Sequence, residues 1–340
     1  MATSCVCQGI NDLTVRKTPS GENRPARLRQ GVGEAVSSAK ASAGQALGPA
    51  LQFRMSRYTR SLVLLIVVAA CAARTQQPQT SSSPAPIGST TAPHENLNAV
   101  LWVQTALEYE ATALQAYRLA QLQLDAALAD ASWTAAIEQT GDVSRLPPAV
   151  VLDIDETVLD NSYYQARMVR DNTPYTSATW DPWVLEAKAT PIPGAREFTQ
   201  YAAQKGVAVF YITNRTANLE QATKQNLIAE GFPIPNDVDT VLTRGERPEW
   251  SASAKGPRRA FVAAHYRILI LVGDDLGDFV VNASGTPEER RTRTEPYENW
   301  WGRRWIMIPN PTYGSWERAV VGNVEDHLAA RRRALKYEPR

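Results

Sequence analysis

The sequence predicts an α/β fold in which a doubly wound parallel sheet is joined to a smaller helical domain. Short apolar runs rich in β-branched residues alternate with longer segments of helical period, the pattern of a parallel sheet covered by helices. Clusters of polar residues, carboxylates among them, follow these runs. Open α/β sheets bind ligands beyond the carboxyl ends of their strands, so this pattern also indicates where a site would lie.

Five apolar runs are predicted to form the strands. They span residues 149–152, 207–212, 238–242, 268–272 and 305–308. The second is apolar throughout, as expected of a strand buried on both faces. Helices are predicted from about 194 to 205, from 219 to 230 and around Phe261, and they would form the covering layers.

The segment before the first strand is predicted to be helical from 96 to about 137, in one piece or two. Apolar residues recur there at three-to-four spacing, and the helix must end before Gly141. The expected organisation is a helical segment at 94–146, an α/β core at 147–322 and a carboxyl-terminal helix or tail at 323–340.

The amino-terminal third has the composition of an export signal. Residues 1–54 are rich in Ala, Gly, Ser and Arg and are predicted to be disordered. Residues 55–70 form a basic segment followed by about ten apolar residues, a signal peptide too short to remain as a membrane-spanning helix. The end of this segment resembles a bacterial lipobox, so Cys71 is expected to be lipidated; an ordinary signal peptide with a chance cysteine is the alternative. Residues 71–93 are expected to be a flexible tether.

Because a signal peptide begins at the start of translation, we infer that Met55 is the true start and that residues 1–54 belong to an over-extended reading frame. Peptides from residues 1–54 in mass spectra of the expressed protein would contradict this. A multiply acylated Cys71 would anchor the protein in the bacterial cell envelope, on the outer membrane, facing the periplasm or the surface.

Composition limits the chemistry. Three cysteines and three scattered histidines build neither a disulfide framework nor a zinc site, so carboxylates must hold any metal, and this favours Mg²⁺. Residues 1–70 carry nine Lys and Arg against three Asp and Glu, which gives this segment a net charge of +6. Because the whole chain has a formal net charge of +1, residues 71–340 have a net charge of −5. The folded part lacks the basic excess of a nucleic-acid-binding protein.

Two carboxylates stand where the first predicted strand ends. Asp153 and Asp155 follow the run that ends at Leu152 and precede Thr157. Such a pair suits phosphoryl transfer, in which one carboxylate attacks phosphorus and the other handles the leaving-group proton. The alternative is an ordinary loop, because Asp and Thr are common turn and cap residues.

Four segments together carry a family resemblance. Asp153 and Asp155 follow the first strand, and Asp274 and Asp278 follow the fourth. Thr213 follows the second strand, and Lys255 precedes the fourth. This pattern resembles that of the haloacid dehalogenase-like phosphatases. The strings LDIDETVLDN at 152–161 and GDDLGDF at 273–279 resemble the paired signatures of class C acid phosphatases, which are bacterial outer-membrane lipoproteins also described as 5′-nucleotidases. The resemblance covers about residues 95–325.

The resemblance implies roles for the four acidic residues. Asp153 would be the nucleophile that forms an aspartyl-phosphate, and Asp155 would act first as general acid and then as general base. Mg²⁺ would lie between Asp153, the backbone carbonyl of Asp155 and Asp274. Asp278 would support the metal ligands from behind.

The resemblance also implies how the phosphate is held. Thr213 and Lys255 would bind the phosphoryl oxygens. Asn214 and Arg215 would either orient the site or cap the following helix. Asp275 stands where Asn or Thr is expected, so the metal site should be more anionic than is typical.

The implied substrates are small phosphomonoesters, namely nucleoside 5′-monophosphates and aryl phosphates, whose ring would stack on aromatic side chains. Five aromatic residues are candidates for stacking, with core packing as the alternative: Tyr164, Trp180, Trp183, Tyr313 and Trp316. Residues 282–304 match no pattern and are expected to be a mobile insertion near the mouth of the site.

Two other functions remain open. A phosphotransferase on the same fold would pass the phosphoryl group to an acceptor other than water. A lipid-anchored binding protein would have kept the fold and lost turnover, although the presence of Asp153 argues against it.

Overall fold

The structure is a computed structural model that describes residues 94–339. The predictions for residues 1–54, 55–70 and 71–93, including lipidation of Cys71, lie outside these residues. Within 94–339, no helix combines the length and the apolar composition that crossing a bilayer requires.

A five-stranded sheet lies at the centre, and its strands are ordered β5-β4-β1-β6-β7 with every neighbouring pair parallel. This confirms the predicted parallel sheet. A separate antiparallel pair, β2 with β3, follows the first strand. In chain order the strands are β1 (Pro148–Leu152), β2 (Leu159–Asp160), β3 (Thr190–Pro191), β4 (Ala208–Thr216), β5 (Val241–Arg244), β6 (Arg267–Gly273) and β7 (Trp305–Met307).

Helices cover both faces of the sheet. They are α1 (Leu97–Thr105), α2 (Leu107–Ala129), α3 (Ser162–Asp171), α4 (Ser177–Glu186), α5 (Ala195–Gln204), α6 (Glu220–Ala229), α7 (Gly256–Ala263), α8 (Pro287–Thr294), α9 (Ser315–Val321) and α10 (His327–Ala334). Side chains alternate along β1: Val150 packs in a core that includes α2, α5 and α6, whereas Val151 packs on the other face in a core that includes α7. The sheet is therefore buried on both sides, which explains its continuous apolar strands.

Strand β4 is longer than predicted, because its pairing with β5 continues beyond the apolar run. The pairing register shifts between Ile212 and Thr216, so residues 213–215 form an irregular stretch. Such irregularities change the direction of side chains at a sheet edge. Strand β5 begins at Val241 and not at Val238, whose side chain is partly exposed.

The amino-terminal helical segment forms two helices and ends earlier than predicted. The break lies at Ala106, and α2 ends at Ala129. Beyond it the indole of Trp133 donates to the carbonyl of Leu269 at 2.7 Å, and the amide of Ala135 donates to Ile268 at 2.8 Å. Residues 130–137 leave the helical path because they bond to the backbone of β6.

Residues 282–304, predicted to be a mobile insertion, contain α8 and a 3-10 helix, Glu295–Trp300. This segment is ordered on the sheet by aromatic packing. Tyr297, Trp300 and Trp301 each lie 5.1–5.2 Å from Trp305, measured between ring centroids. The segment reaches the polar edge of the sheet through Arg290, which donates to Ser315 Oγ at 2.7 Å.

Candidate active site

The loop after β1 carries the first two acidic residues at the carboxyl edge of the sheet. The amide of Asp153 still donates to Val272 on β6, at 3.0 Å, so this residue remains in line with the strand. The chain then turns: the amides of Val158 and Leu159 donate to the carbonyl of Ile154, both at 2.9 Å. Glu156 takes a left-handed conformation with a φ of 58°, which is uncommon outside glycine and indicates a tightly determined turn.

Three carboxylates from two loops meet at this edge. Asp153, Asp274 and Asp278 each offer an oxygen, and these oxygens lie within 4.8 Å of one another. The Thr157 hydroxyl lies between two of them, 3.4 Å from Asp153 Oδ2 and 3.2 Å from Asp274 Oδ1. Asn310 donates to Asp274 Oδ2 at 2.8 Å. The loops after β1, β6 and β7 thus converge on one acidic cluster.

The electrostatics of this cluster fit a divalent cation. Burial, together with the charges of Asp278 and Asp155, raises the pKa of Asp153 to about 7 even though Lys255 opposes the shift. Burial and the charges of Asp153 and Asp278 raise the pKa of Asp274 well above its usual range. Carboxylate oxygens gathered with too little positive charge are the donor set of a hard cation, so Asp153 and Asp274 could hold a metal ion.

Lys255 lies between two of the carboxylates. Its Nζ donates to Asp153 Oδ1 and, at 2.6 Å, to Asp278 Oδ1. Burial works to lower the pKa of Lys255, but the charges of the two carboxylates raise it above its ordinary value, so the ammonium stays charged. The other oxygen of Asp278 accepts the amide of Asp275 at 2.9 Å. Both oxygens of Asp278 are therefore engaged, one by Lys255 and the other by a backbone amide.

Asp155 is held by a buried arginine. Arg215 donates to Asp155 Oδ1 from Nε at 3.0 Å and from Nη2 at 2.7 Å, and Asn161 donates to the same oxygen at 2.9 Å. The hydroxyl of Thr213 lies 3.5 Å from Oδ2, the remaining oxygen. Arg215 was expected either to orient the site or to cap the following helix. The structure favours the first role, because the guanidinium donates two hydrogen bonds to the carboxylate of Asp155.

Asn214 has a different environment from its neighbours. The residue is exposed, and its Oδ1 accepts a hydrogen bond from Arg258 at 2.8 Å. Its side-chain oxygen is therefore engaged by the arginine of α7, and the structure shows no contact between Asn214 and the acidic cluster.

Two of the five aromatic candidates are core residues, which corrects the expectation that they stack on a substrate. Tyr164 is 2% exposed and Trp183 is 4% exposed, so neither ring offers an open face. The indole of Trp183 donates to Asn161 Oδ1 at 2.8 Å and so helps to fix the Asp155 loop. The helical period of α3 and α4 turns these two rings towards the core, which single positions in the sequence did not reveal.

The other three aromatic candidates keep accessible surface. Trp180 is half-buried and its ring lies under the Arg215 guanidinium, 5.6 Å from centroid to Cζ. Tyr313 is half-buried, and its hydroxyl donates to Glu156 Oε2. Trp316 is 44% exposed. Trp180 lies on α4, whereas Tyr313 and Trp316 lie just before and within α9, where the indole of Trp316 donates to the carbonyl of Tyr313 at 3.2 Å. The three rings are not stacked on one another.

Burial and the charge of Asp275 raise the pKa of Asp278 even though Lys255 opposes the shift, so Asp275 adds negative charge beside the acidic cluster although its carboxylate is not one of the clustered three. One of its oxygens accepts the amide of Gly277 at 2.8 Å and the hydroxyl of Ser315 at 2.9 Å, and the other accepts the amide of Ser315 at 2.6 Å. It caps the turn Leu276–Asp278 and lies outside the acidic cluster. The spacing from Asp275 to Asp278 is that of a capping box and could have indicated this.

Several contacts at the site went unpredicted. Thr157 and Asn310 bridge to the carboxylates, and Arg258 and Arg259 reach two of the loops. Asn310 follows a strand directly, and that placement was the available signal for it. No such signal was available for the two arginines, because α-helical spacing does not reveal which loop a long side chain reaches.

Comparison with known proteins agrees with this site. A family model described as the HAD superfamily, subfamily IIIB (acid phosphatase), matches residues 68–316. The class C acid phosphatase from Bacillus anthracis is similar in sequence and structure, with 34% identity and a TM-score of 0.63 over 73% of this chain and 99% of that chain. A structure of the B. anthracis enzyme with tungstate bound gives a TM-score of 0.62 at the same identity and coverage. The chain therefore belongs to the acid phosphatases of HAD subfamily IIIB, the class C acid phosphatase family, and is a phosphomonoesterase.

Proposed function

We propose that this acid phosphatase depends on Mg²⁺ and hydrolyses nucleoside 5′-monophosphates and aryl phosphates through an aspartyl-phosphate on Asp153. One observation carries the proposal: oxygens of Asp153, Asp274 and Asp278 lie within 4.8 Å of one another, and the Lys255 ammonium bridges Asp153 and Asp278. This proximity supports a mechanism in which a nucleophile, a cation-binding carboxylate and a fixed positive charge act together.

Asp153 is the proposed nucleophile. It is 7% exposed, and the ion pair with Lys255 restricts its rotation. One Oδ attacks phosphorus, and the ester P–O bond breaks as the acyl phosphate forms. Lys255 and Thr213 stabilise the charge that develops on the phosphoryl oxygens.

Asp155 is the proposed acid and base. Oδ1 accepts hydrogen bonds from Arg215 and Asn161, so Oδ2 is the oxygen that can carry a proton. It gives that proton to the leaving alkoxide. It then takes a proton from water as the water oxygen attacks phosphorus. The bond between phosphorus and the Asp153 oxygen breaks, phosphate leaves and the free carboxylate of Asp153 is regenerated.

Asp153 and Asp274 would hold the metal, with the backbone carbonyl of Asp155 as a third protein ligand. When bound, Mg²⁺ neutralises the carboxylates and polarises a phosphoryl oxygen. Thr157 and Asn310 orient the two carboxylates through the hydrogen bonds described above. Tungstate, bound in the B. anthracis relative, is a phosphate-like oxyanion and supports a phosphoryl ligand here.

Trp180, Tyr313 and Trp316 are the proposed contacts for a base or aryl ring, because each retains accessible surface. Stacking is worth roughly 1–3 kcal/mol per base and tolerates any base. This fits a broad specificity in which the phosphate is recognised strictly and the ring loosely.

The test is steady-state turnover of p-nitrophenyl phosphate and nucleoside monophosphates, with and without Mg²⁺, for the wild type and Asp153→Asn. We expect metal-dependent hydrolysis that the Asn variant loses. Full activity in EDTA, or an Asn variant as active as the wild type, would remove the mechanism. Adding an alcohol acceptor and identifying the product separates hydrolysis from phosphotransfer.

We also propose that the protein is anchored to the bacterial envelope through lipidated Cys71. The support is the basic segment, the apolar run and the cysteine that follows small residues. Labelling with a fatty-acid analogue and fractionating the cells tests this. We expect the label in the membrane fraction for the wild type and none for Cys71→Ser; equal labelling of both proteins would contradict it.

A further inference from the structure

Helix α7 directs three cations to three different loops of the site. Lys255, immediately before the helix, contacts the carboxylate of Asp153 after β1. Arg258 and Arg259, one turn later, contact the irregular stretch of β4 and the turn after β6. The two arginines are 0% and 1% exposed, so their places are fixed by the surrounding structure.

Arg258 binds the irregular stretch that follows the apolar part of β4. Its Nη1 donates to the carbonyl of Thr213, and its Nη2 donates to Asn214 Oδ1 at 2.8 Å. The same Nη2 lies 3.4 and 3.5 Å from the carbonyls of Ser253 and Ala254, just before α7. The guanidinium therefore ties the Thr213 turn to the start of the helix.

Arg259 binds the turn that carries Asp278. Its Nη1 donates to the carbonyls of Gly277 and Asp278, both at 3.0 Å. Its Nε and Nη2 donate to Glu138 Oε1 at 3.1 and 2.8 Å. The other oxygen of Glu138 is buried and has no hydrogen-bond partner within 94–339, so Arg259 supplies the counter-charge of this carboxylate.

These contacts act on the site through other residues. Arg258 bonds only to backbone carbonyls and Asn214, and Arg259 only to backbone carbonyls and Glu138, so the structure shows neither guanidinium on a carboxylate of the acidic cluster. The two bound turns serve different parts of the chemistry. The Thr213 turn carries the hydroxyl proposed to bind the phosphoryl group, and the Asp278 turn follows Asp274, the proposed metal ligand.

We propose that Arg258 and Arg259 are positioning residues with separable effects: Arg258 sets phosphate affinity by placing Thr213, and Arg259 sets metal affinity by placing the 274–278 turn. The proposal rests on the function proposed above. Residues that orient metal ligands typically change metal affinity 10–100-fold when they are replaced. A displacement of about 1 Å at a phosphoryl-binding group has a similar effect on turnover.

The experiment compares Arg258→Lys, Arg259→Lys and a control on the exposed side of the same helix, Ala260→Gln. Mg²⁺ binding is measured by calorimetry without substrate, and inorganic phosphate inhibition and KM are measured at saturating Mg²⁺. We expect Arg259→Lys to weaken Mg²⁺ binding about tenfold with little change in the phosphate inhibition constant. We expect Arg258→Lys to raise the phosphate inhibition constant and KM about tenfold with little change in Mg²⁺ binding. The control should change neither.

Parallel losses of both affinities in both variants would overturn the proposal, because they would indicate a general structural role. Unchanged affinities in both would overturn it equally. If Arg259→Lys does not fold, Glu138→Gln keeps the arginine and should still weaken Mg²⁺ binding several-fold, and wild-type affinity in that variant would count against the proposal. Wild-type protein without Mg²⁺-dependent hydrolysis would instead refute the proposed function.

Discussion

The acidic cluster should make the metal-free protein less stable at neutral than at mildly acidic pH. Burial first, and then the charges of Asp278 and Asp155, raise the pKa of Asp153 from 3.8 to about 7. In this window the folded state binds a proton that the unfolded state does not. The free energy of unfolding therefore falls as pH rises from about 4 to about 7.

The size of this effect follows from the shift in pKa. A shift of about three units corresponds to about 4 kcal/mol over the whole window, and about 2 kcal/mol of it is lost between pH 5 and pH 7. The raised pKa of Asp274 adds a change of the same sign. The proposed Mg²⁺ would bind only the charged form of the folded state, and at 100 times its Kd it would restore about 2.7 kcal/mol at pH 7.

Urea unfolding at pH 5 and pH 7, in EDTA and in Mg²⁺, measures these quantities. We expect the wild type in EDTA to lose about 2 kcal/mol between the two pH values, and Asp153→Asn to lose less, because it has no carboxylate to titrate at this position. Mg²⁺ should stabilise the wild type more at pH 7 than at pH 5, where protons compete for the ligands. A wild type in EDTA that becomes more stable from pH 5 to pH 7, or an Asn variant with the same decline, would refute the reasoning.

Three further substitutions test individual contacts. Arg215→Lys should lower kcat roughly 100-fold with a smaller change in KM, because the ammonium cannot hold Asp155 as the guanidinium does; steady-state kinetics measures both. Asn310→Ala should weaken Mg²⁺ binding about tenfold in calorimetry, because Asp274 loses its hydrogen bond. Trp316→Ala should raise KM about tenfold for nucleoside monophosphates and leave KM for glycerol phosphate unchanged.

Each of these predictions has a control or a contrary outcome. Arg170→Lys alters an exposed ion pair with Asp171 and should leave kcat unchanged. A kcat near the wild-type value for Arg215→Lys would show that Asp155 needs no such partner. Unaltered Mg²⁺ affinity in Asn310→Ala would show that the loop after β7 does not contribute to metal binding. Equal changes in KM for both substrates in Trp316→Ala would exclude stacking on Trp316.

The location of the candidate site could be predicted, because it depends on topology. In a parallel sheet the carboxyl ends of neighbouring strands lie at one edge, so Asp153, Thr213 and Asp274 meet although many residues separate them in the chain. Lys255 could be placed in the site only through its position in the family pattern, because it precedes a helix and does not end a strand.

The direction of individual side chains could not be predicted in the same way. Asp275 lies next to Asp274, yet its carboxylate binds Ser315, forty residues away, and not the acidic cluster. Tyr164 and Trp183 had the right chemistry for stacking and were placed in the core by their helices.

The sequence by itself determined the parallel sheet, its polar edge and the set of carboxylates that meets there, because the period of apolar residues and the order of strands and helices are local properties of the chain. Only the tertiary structure decided which side chains support the cluster. Arg215 on Asp155, Asn310 on Asp274 and Arg259 on the Asp278 turn are contacts between distant segments. These contacts depend on how helices and loops pack on the sheet, and the spacing of residues in the sequence does not reveal which distant side chains will meet.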